Sequence, residues 1–383
     1  MLAAGVVVRR ETFGHLAYVS SRDHFFALSG AAAGVLDALG RGEPPGPVAR
    51  SLAEFGILDL TPAPPPRPHY GESLIGRFDE LPAVEEPLVV NCFATAHCPL
   101  QCRYCHADDL MQPARRTETD DEPSLVARMA ASVPAIVAVV TGGEPLYTPW
   151  RTEVLIKELS AAGKAVVLDT SGVGELAPLL PVLHENRVHV RISLDSLDPA
   201  DNDRLRVINR SYLPLGTSAG AAALRTLAEA AAAGLPTTVQ SVVTSANEDV
   251  SRLRALRDGL VELGVGNWVL HVVVPAGKAA LPRNRGLRPS PYVIPALAEL
   301  VKMSREERVP LNIRVTGTHH VPNSVLLVGS RGDLYVERES GGKARIAGPG
   351  ASRDEVVEAF RRHVNLVEHV SRYLNGSIQP FPR

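Results

Sequence analysis

Three cysteines on one short segment are the residues of this chain with the clearest chemical potential. Cys98, Cys102 and Cys105 stand in the run AHCPLQCRYCH, separated by three and then two residues. Three thiolates on one loop can bind three irons of a [4Fe–4S] cluster, which leaves the fourth iron without a protein ligand. A substrate or cosubstrate can bind at such an open metal position. The spacing therefore predicts a metal centre with chemistry at its open side.

A zinc site is the alternative use of the same cysteines. Zinc usually takes four Cys or His ligands arranged in two pairs. The remaining cysteine, Cys92, lies in an apolar run and is predicted to be a core residue, but His97 and His106 flank the motif and could complete a zinc site. The cysteines alone leave both interpretations open, so the residues downstream must decide.

A glycine run follows at the end of the second predicted strand, in Thr141-Gly142-Gly143-Glu144-Pro145. Two glycines let the backbone approach a ligand closely. Carbonyl and carboxylate oxygens at such a turn can accept hydrogen bonds from an ammonium group. On the fourth strand, Ser193 and Asp195 share one face because side chains alternate along a strand. Both are predicted to face the interior of the barrel that the strands form.

The cysteine spacing and the glycine run together resemble the signature of the radical S-adenosylmethionine (SAM) enzymes. The resemblance implies that Cys98, Cys102 and Cys105 bind one [4Fe–4S] cluster whose open iron chelates the amino and carboxylate groups of SAM. It also implies a reductive cleavage of SAM to a 5′-deoxyadenosyl radical, which abstracts hydrogen from a substrate. The SAM-binding residues that it implies are Tyr104, Gly142, Gly143, Glu144, Ser193, Asp195 and Arg206.

Each implied role rests on a motif position. Tyr104 occupies the aromatic position that borders the adenine, and Arg206 falls on the arginine that reaches the SAM carboxylate, where a bidentate contact is the physical reason. The chain departs from the family at Ser171 and Asn202, where Asn and His are common. After residue 277 the sequence contains no cysteine. Many peptide-modifying members hold auxiliary clusters in that region, so we expect a single cluster here.

Composition excludes several classes of protein. The chain has 383 residues, of which 45% are hydrophobic and 21% charged, with a formal net charge of −2. Nothing in this balance indicates a nucleic-acid-binding surface. No secretory signal or membrane-spanning stretch is apparent, and four cysteines in this length do not form a disulfide framework. We therefore expect a cytoplasmic protein that contacts neither membrane nor nucleic acid.

The domain organisation follows from a proline-rich linker and from strand–helix alternation. The expected fold class is α/β, with a partial (β/α)₆ radical SAM barrel, a small N-terminal winged-helix-like α+β domain and a C-terminal α/β extension. The predicted boundaries are 1–61 for the N-terminal domain, 62–87 for the linker, 88–277 for the barrel and 278–383 for the cysteine-free extension.

Elements are predicted within these domains. The N-terminal domain has three strands followed by helices over Ala31–Leu39 and Pro47–Phe55. Six strands of the barrel are predicted at Leu88–Phe93, Ala135–Thr141, Ala165–Thr170, Val188–Leu194, Thr237–Val243 and Asn267–Val274. Alternation with helices indicates a parallel sheet, whose active site lies at the C-terminal strand ends. One long closing helix is predicted over Asp354–Leu374, and the adjacent His319 and His320 are predicted to be surface residues.

The N-terminal domain also resembles the winged-helix peptide-binding domains of ribosomal-peptide maturation systems, which bind a leader peptide as an added strand. The expected substrate is therefore a ribosomally synthesised precursor peptide that undergoes crosslinking, epimerisation or another side-chain change. The alternative is a small-molecule radical SAM enzyme in a cofactor or natural-product pathway. A non-catalytic binding protein is disfavoured by the intact cysteine motif. The expected electron donor is a ferredoxin- or flavodoxin-like protein.

Overall fold

A computed structural model of the chain describes residues 1–44, 48–111, 122–316, 321–338 and 342–374. The N-terminal part forms an antiparallel sheet covered by two helices, so the expected small α+β domain is present. Its elements are β1 (Val6–Glu11), β2 (Gly14–Val19), β3 (His24–Leu28), α1 (Gly30–Gly40) and α2 (Ala49–Glu54). The predicted helix start at Pro47 lies outside the described residues.

The linker contributes a strand to this domain. Strand β4 (Leu74–Ile75) pairs parallel to β3, so the proline-rich segment is more than a spacer.

Six consecutive parallel strands form the centre of the main sheet, as predicted. They are β5 (Val89–Thr95), β6 (Val137–Gly142), β7 (Ala165–Thr170), β8 (His189–Ser193), β9 (Thr237–Val243) and β10 (Asn267–Val272). The helices between them are α3 (Pro123–Ser132), α4 (Pro149–Ala161), α5 (Leu180–Glu185), α6 (Pro199–Leu205), α7 (Ala219–Ala232) and α8 (Val250–Glu262). Proline at the first position of α3, α4 and α6 suits a helix start, because its missing N–H has no partner there anyway.

The C-terminal region extends this sheet at both edges. It contains α9 (Val293–Glu306), β11 (Asn312–Thr316), β12 (Leu326–Val328), β13 (Leu334–Glu337), β14 (Lys343–Ala347), α10 (Arg353–His363) and α11 (Leu366–Leu374). Strand β11, which the sequence analysis missed, pairs parallel to β10, whereas β12 pairs parallel to β5 and leads into the antiparallel β13 and β14. Over the described residues, the sheet therefore has ten strands and stays open.

The single closing helix predicted over Asp354–Leu374 was wrong. Helix α10 ends at His363 because Val364 is extended, with φ −97° and ψ 128°. Asn365 then starts a new helix, since its side chain accepts a hydrogen bond from the Glu368 amide at 3.2 Å. The break turns α11 onto the N-terminal domain, where Val370 and Leu374 are buried. Within the described ranges, no helix combines the length and the apolar character needed to cross a membrane.

The two faces of the main sheet pack against different partners. One face lies against the flanking helices, and the other, called here the inner face, lies against the N-terminal domain and α11. On the β5–β7 side the inner face is apolar, with Val89, Val137, Val139 and Val167 packed against Leu16, Tyr18 and Phe25. On the β8–β11 side it is polar, with buried His189, Arg191, Thr238, Asn267 and Arg314.

The turn between β2 and β3 carries the matching charge into this polar half. Asp23 accepts hydrogen bonds from Nε and Nη2 of Arg191 at 2.7 and 2.6 Å, and from the Tyr18 hydroxyl at 3.0 Å. Burial alone would raise the pKa of Asp23, but the Arg191 charge and hydrogen bonds, together with the charges of His189 and Arg314, hold that pKa well below its usual range. The N-terminal domain thus shares a core and a buried ion pair with the main sheet. The predicted domain boundaries remain predictions. The N-terminal part and the main sheet share one hydrophobic core, so packing alone does not mark a boundary between them.

Because the two parts share a core, we expect that shortening one side chain in it lowers the stability of both parts together. Leu16→Ala removes a fully buried side chain between the two parts, so the free energy of unfolding should fall by about 2–5 kcal/mol. Urea unfolding followed by circular dichroism should show one transition at a lower midpoint. Leu215→Ala, at a side chain that is 78% exposed, should change stability by less than about 0.5 kcal/mol. Two transitions, with only one of them shifted, would contradict the shared core.

Candidate active site

The C-terminal ends of the parallel strands frame a cavity of about 420 Å³ on the inner face. This is the end at which active sites of such sheets lie. Its lining includes the loop after β5 that contains the three cysteines, called here the cysteine loop. It also includes the glycine run after β6 and side chains of β7 to β10 that point to the inner face. The predicted site residues in this lining are Cys98, Cys102, Cys105, Tyr104, Gly142, Gly143, Ser193 and Arg206.

The cysteine loop is held by backbone hydrogen bonds to the segment after α6. The Gln101 amide donates to the Val207 carbonyl at 2.7 Å and the Arg103 amide to the Leu205 carbonyl at 2.9 Å. Burial raises the pKa of the Cys102 thiol to about 12 and also raises that of the other two thiols. Thiols in this setting become thiolates when a bound cation compensates their charge.

The ligand geometry bears on the zinc alternative. Among the described residues, no three His, Cys, Asp or Glu side chains are gathered closely enough to hold a single metal ion. His97 donates to or accepts from the Tyr212 hydroxyl through Nδ1 at 3.0 Å, and His106 pairs with Glu337 at 2.5 Å. A tetrahedral zinc site needs four ligands around one point. All three cysteines line the cavity.

The glycine run is bound directly to the start of the cysteine loop. The amide of Gly143 donates to the Thr95 carbonyl at 2.8 Å, and that of Glu144 to the His97 carbonyl at 2.9 Å. Gly142 has φ +128°, which favours glycine, and a Cβ on Gly143 would lie 1.8 Å from the His97 carbonyl oxygen. Only glycine at 143 allows this approach, so the run positions the cysteine loop as well as lining the cavity.

Glu144 does not present its carboxylate to the cavity. That carboxylate accepts hydrogen bonds from the Leu146 amide at 2.9 Å, the Ser171 amide at 2.8 Å, and the hydroxyls of Thr170 and Ser171. Burial raises its pKa, although these hydrogen bonds oppose the shift. The side chain therefore fastens the end of β6 to the end of β7, and only its backbone borders the glycine turn.

The Asp195 carboxylate, like that of Glu144, binds neighbouring protein groups in this structure. It pairs with Arg206 Nε at 2.9 Å and Nη2 at 3.2 Å, and it accepts from the Val242 amide at 2.7 Å and from the Tyr104 hydroxyl. Burial would lower the pKa of Arg206, but the charge and hydrogen bonds of Asp195, together with Tyr104 and Cys102, raise that pKa. Arg206 also lies over the Tyr104 ring, 5.4 Å from its centroid. Asp195 thus orients the two side chains that line the cavity.

Three residues of the cavity wall that the sequence analysis did not single out are His271, Glu337 and Arg372. His271 could have been found from strand alternation, because it is a polar inward residue near the end of a predicted strand. Arg372 had no such signal, because α11 reaches the cavity only through the break after α10. His319 and His320 lie outside the described residues.

The family comparison agrees with this geometry. Residues 93–257 match the model of the Radical SAM superfamily. The matched stretch spans the cysteine loop, the glycine run and Arg206.

Two relatives belong to one named group. The PqqA peptide cyclase of Xanthomonas axonopodis pv. citri (strain 306) is 31% identical over 165 residues, which cover 43% of this chain and 42% of that protein. The PqqA peptide cyclase of Methylorubrum populi is 28% identical over 206 residues, which cover 53% of this chain and 47% of that protein. The chain spans less than half of the length of either relative.

Solved structures share the fold over most of the chain. SuiB of Streptococcus suis bound to S-adenosylmethionine superposes with a TM-score of 0.55 at 13% identity, covering 87% of this chain and 82% of that one. SuiB bound to its precursor peptide SuiA gives 0.55 at 13% identity, with 100% and 90% covered. For anSMEcpe with AdoMet and a peptide, the TM-score is 0.57 at 15% identity, with 74% and 84% covered. At these identities the likeness shows the fold.

The close approach at Gly143 predicts a specific effect. Gly143→Ala forces the His97 backbone to move, so it should cost about 1–3 kcal/mol of stability and expose the loop thiols to Ellman's reagent. Faster thiol modification in the apo-protein is the expected result. Gly34→Ala is the control, since its Cβ would meet no atom within 4 Å and helical alanine stabilises by about 0.5–1 kcal/mol. Equal thiol reactivity in wild type and Gly143→Ala would contradict this role.

Proposed function

We propose that this chain is a radical SAM enzyme that modifies a ribosomally synthesised precursor peptide. The observation that carries the proposal is the convergence of three thiols, a glycine turn and a paired arginine on one cavity at the C-terminal strand ends. Separate motifs of the sequence, over a hundred residues apart (Cys98 to Arg206), meet there. Such convergence matches a binding site better than a set of unrelated structural features.

The donor set fits one [4Fe–4S] cluster and SAM. Cys98, Cys102 and Cys105 would bind three irons through soft thiolate ligands. A cluster bound by these cysteines would supply the electron for reductive cleavage of SAM to methionine and a 5′-deoxyadenosyl radical, and that radical would abstract hydrogen from the substrate. A ferredoxin- or flavodoxin-like protein of the cytoplasm would supply that electron in turn.

The chain's own residues would bind and orient SAM. Gly142 and Gly143 bring backbone close to the cavity, where carbonyl oxygens can accept hydrogen bonds from the SAM amino group. Arg206 lines the cavity with its orientation fixed by Asp195, so it can attract the SAM carboxylate. Ser193 and Tyr104 line the same space, and apolar Val272 and Val274 offer a surface for the adenine.

The peptide substrate is supported by the relatives and by the N-terminal sheet. The related proteins are named PqqA peptide cyclase, and SuiB has been solved with its precursor peptide. In this chain β1 is an edge strand that pairs with β2 on one side. An extended leader peptide can add to such an edge through backbone hydrogen bonds.

Cluster binding and SAM cleavage can be tested with a matched pair of cysteine variants. The reconstituted protein should hold about four irons per chain and, when reduced, form 5′-deoxyadenosine from SAM. Cys102→Ala should lose both properties. Cys92→Ala should retain them, because Cys92 is fully buried in the core that faces the helices. Equal 5′-deoxyadenosine formation by Cys102→Ala and wild type would refute the assignment, and about eight irons per chain would refute the single cluster.

Peptide binding should be measured with the full chain, because residues 1–60 share a core with the main sheet. Fluorescence anisotropy with short peptides encoded beside the gene should show micromolar, sequence-dependent binding, and a scrambled peptide of equal composition serves as the control. If no neighbouring peptide binds while SAM is still cleaved, the substrate is a small molecule and the peptide proposal fails.

A further inference from the structure

A chain of three charged side chains runs from the N-terminal domain to the cavity. Asp23, in the turn between β2 and β3, pairs with Arg191 on β8 through two hydrogen bonds of 2.7 and 2.6 Å. Arg191 lies directly opposite Asp169 in the parallel register of β7 and β8. Asp169 lines the cavity. The three residues therefore connect a segment outside the radical SAM domain to the wall of the candidate active site.

The hydrogen bonding of Arg191 is directed to one of the two carboxylates. Its Nε and Nη2 form a bidentate pair with Asp23, which is the strongest arrangement for this pair of groups. The side chains of Asp23 and Arg191 are only 1% and 10% exposed. Within the described part of the chain, the Asp169 carboxyl has no hydrogen-bond or ion-pair partner, and it is the member of the three that reaches the cavity.

Without Asp23, the positive charge of Arg191 would be buried without a carboxylate partner. A buried guanidinium requires a counter-charge, and Asp169 is the acidic group across the strand register. The pairing with Asp23 therefore determines whether Asp169 stays available at the cavity surface.

We propose that Asp23 is a positioning residue that binds Arg191 and thereby keeps the Asp169 carboxyl free to accept a hydrogen bond from an N–H or O–H group of the substrate. The role in substrate binding rests on the proposed function of this cavity. The inference makes the N-terminal domain a structural part of the active site, in addition to any leader peptide that it binds.

The electrostatics of Asp169 agree with this geometry. Burial raises its pKa to about 6, while Arg191 and Arg206 lower that pKa and Asp23 raises it. The other titratable or charged groups around the cavity are Cys98, Cys102, Tyr104, Cys105, His106, His271, Glu337 and Arg372. Because Asp23 and Arg191 act in opposite directions, removing either one should move the Asp169 titration in a predictable sense.

The test is a pH titration of the Asp169 carboxylic acid band by infrared difference spectroscopy on the full chain. Asp169→Asn identifies the band by its loss. In Asp23→Asn, Arg191 is free to pair with Asp169, so the titration midpoint should fall by about one pH unit or more. In Arg191→Gln the same midpoint should rise above the wild-type value. In the double variant Asp23→Asn/Arg191→Gln it should return to at least the wild-type midpoint.

Controls separate positioning from a general loss of structure. Tyr18→Phe removes one hydrogen bond to Asp23 but no charge, so it should titrate like wild type. Near-ultraviolet circular dichroism shows which variants are folded, and the opposite shifts of the two single variants mean that either one alone can test the proposal. A wild-type midpoint in a folded single variant, or a double variant that titrates like Asp23→Asn, would overturn it. The titration needs no SAM cleavage, so its failure is distinct from failure of the proposed function, which 5′-deoxyadenosine formation tests.

Discussion

The packing of the N-terminal domain against the inner face of the main sheet is the constraint on which the rest of the structure depends. One half of that interface is apolar, and the other half contains the buried pair of Asp23 and Arg191. A buried ion pair adds little net stability, but loss of one partner costs about 3–5 kcal/mol. The ion pair therefore selects one position of the N-terminal domain on the main sheet, because a shifted position would leave a buried charge without its partner.

The opposite end of the sheet is ordered by a second set of short-range contacts. Backbone hydrogen bonds join the glycine run to the cysteine loop, and Glu144 joins the ends of β6 and β7. Asp195 fixes Arg206 and Tyr104 beside the same cavity. Glu144 and Asp195 thus bind other protein groups and do not present their carboxylates to a molecule in the cavity. Their burial and full complement of hydrogen bonds are the physical reason, since a carboxylate with four donors has little capacity for another.

The cavity lies between these two regions, and its wall is therefore built from residues of several separate segments of the chain. The motif residues come from the loops after β5, β6 and β8, whereas His271 comes from β10 and Arg372 from the last described helix. The C-terminal segment contributes because β11 and β12 extend both edges of the sheet and α11 folds back onto the N-terminal domain. Residues distant from the cysteine loop and the glycine run therefore contribute to the surface that a substrate would meet.

Much of this was determined by the sequence itself. The positions of β7 and β9 and the alternation of six strands with helices followed from short apolar runs between helical segments, because parallel strands covered on both faces are largely apolar. The cysteine spacing and the glycine run were local patterns that predicted the location of the site. Tertiary structure alone decided the break between α10 and α11, the strand at Asn312–Thr316, the turn of the Glu144 carboxylate away from the cavity and the pairing of Asp23 with Arg191. These features depend on contacts between residues far apart in the chain, up to 168 positions for Asp23 and Arg191, and no local pattern of residue types specifies which distant partner a buried charge will find.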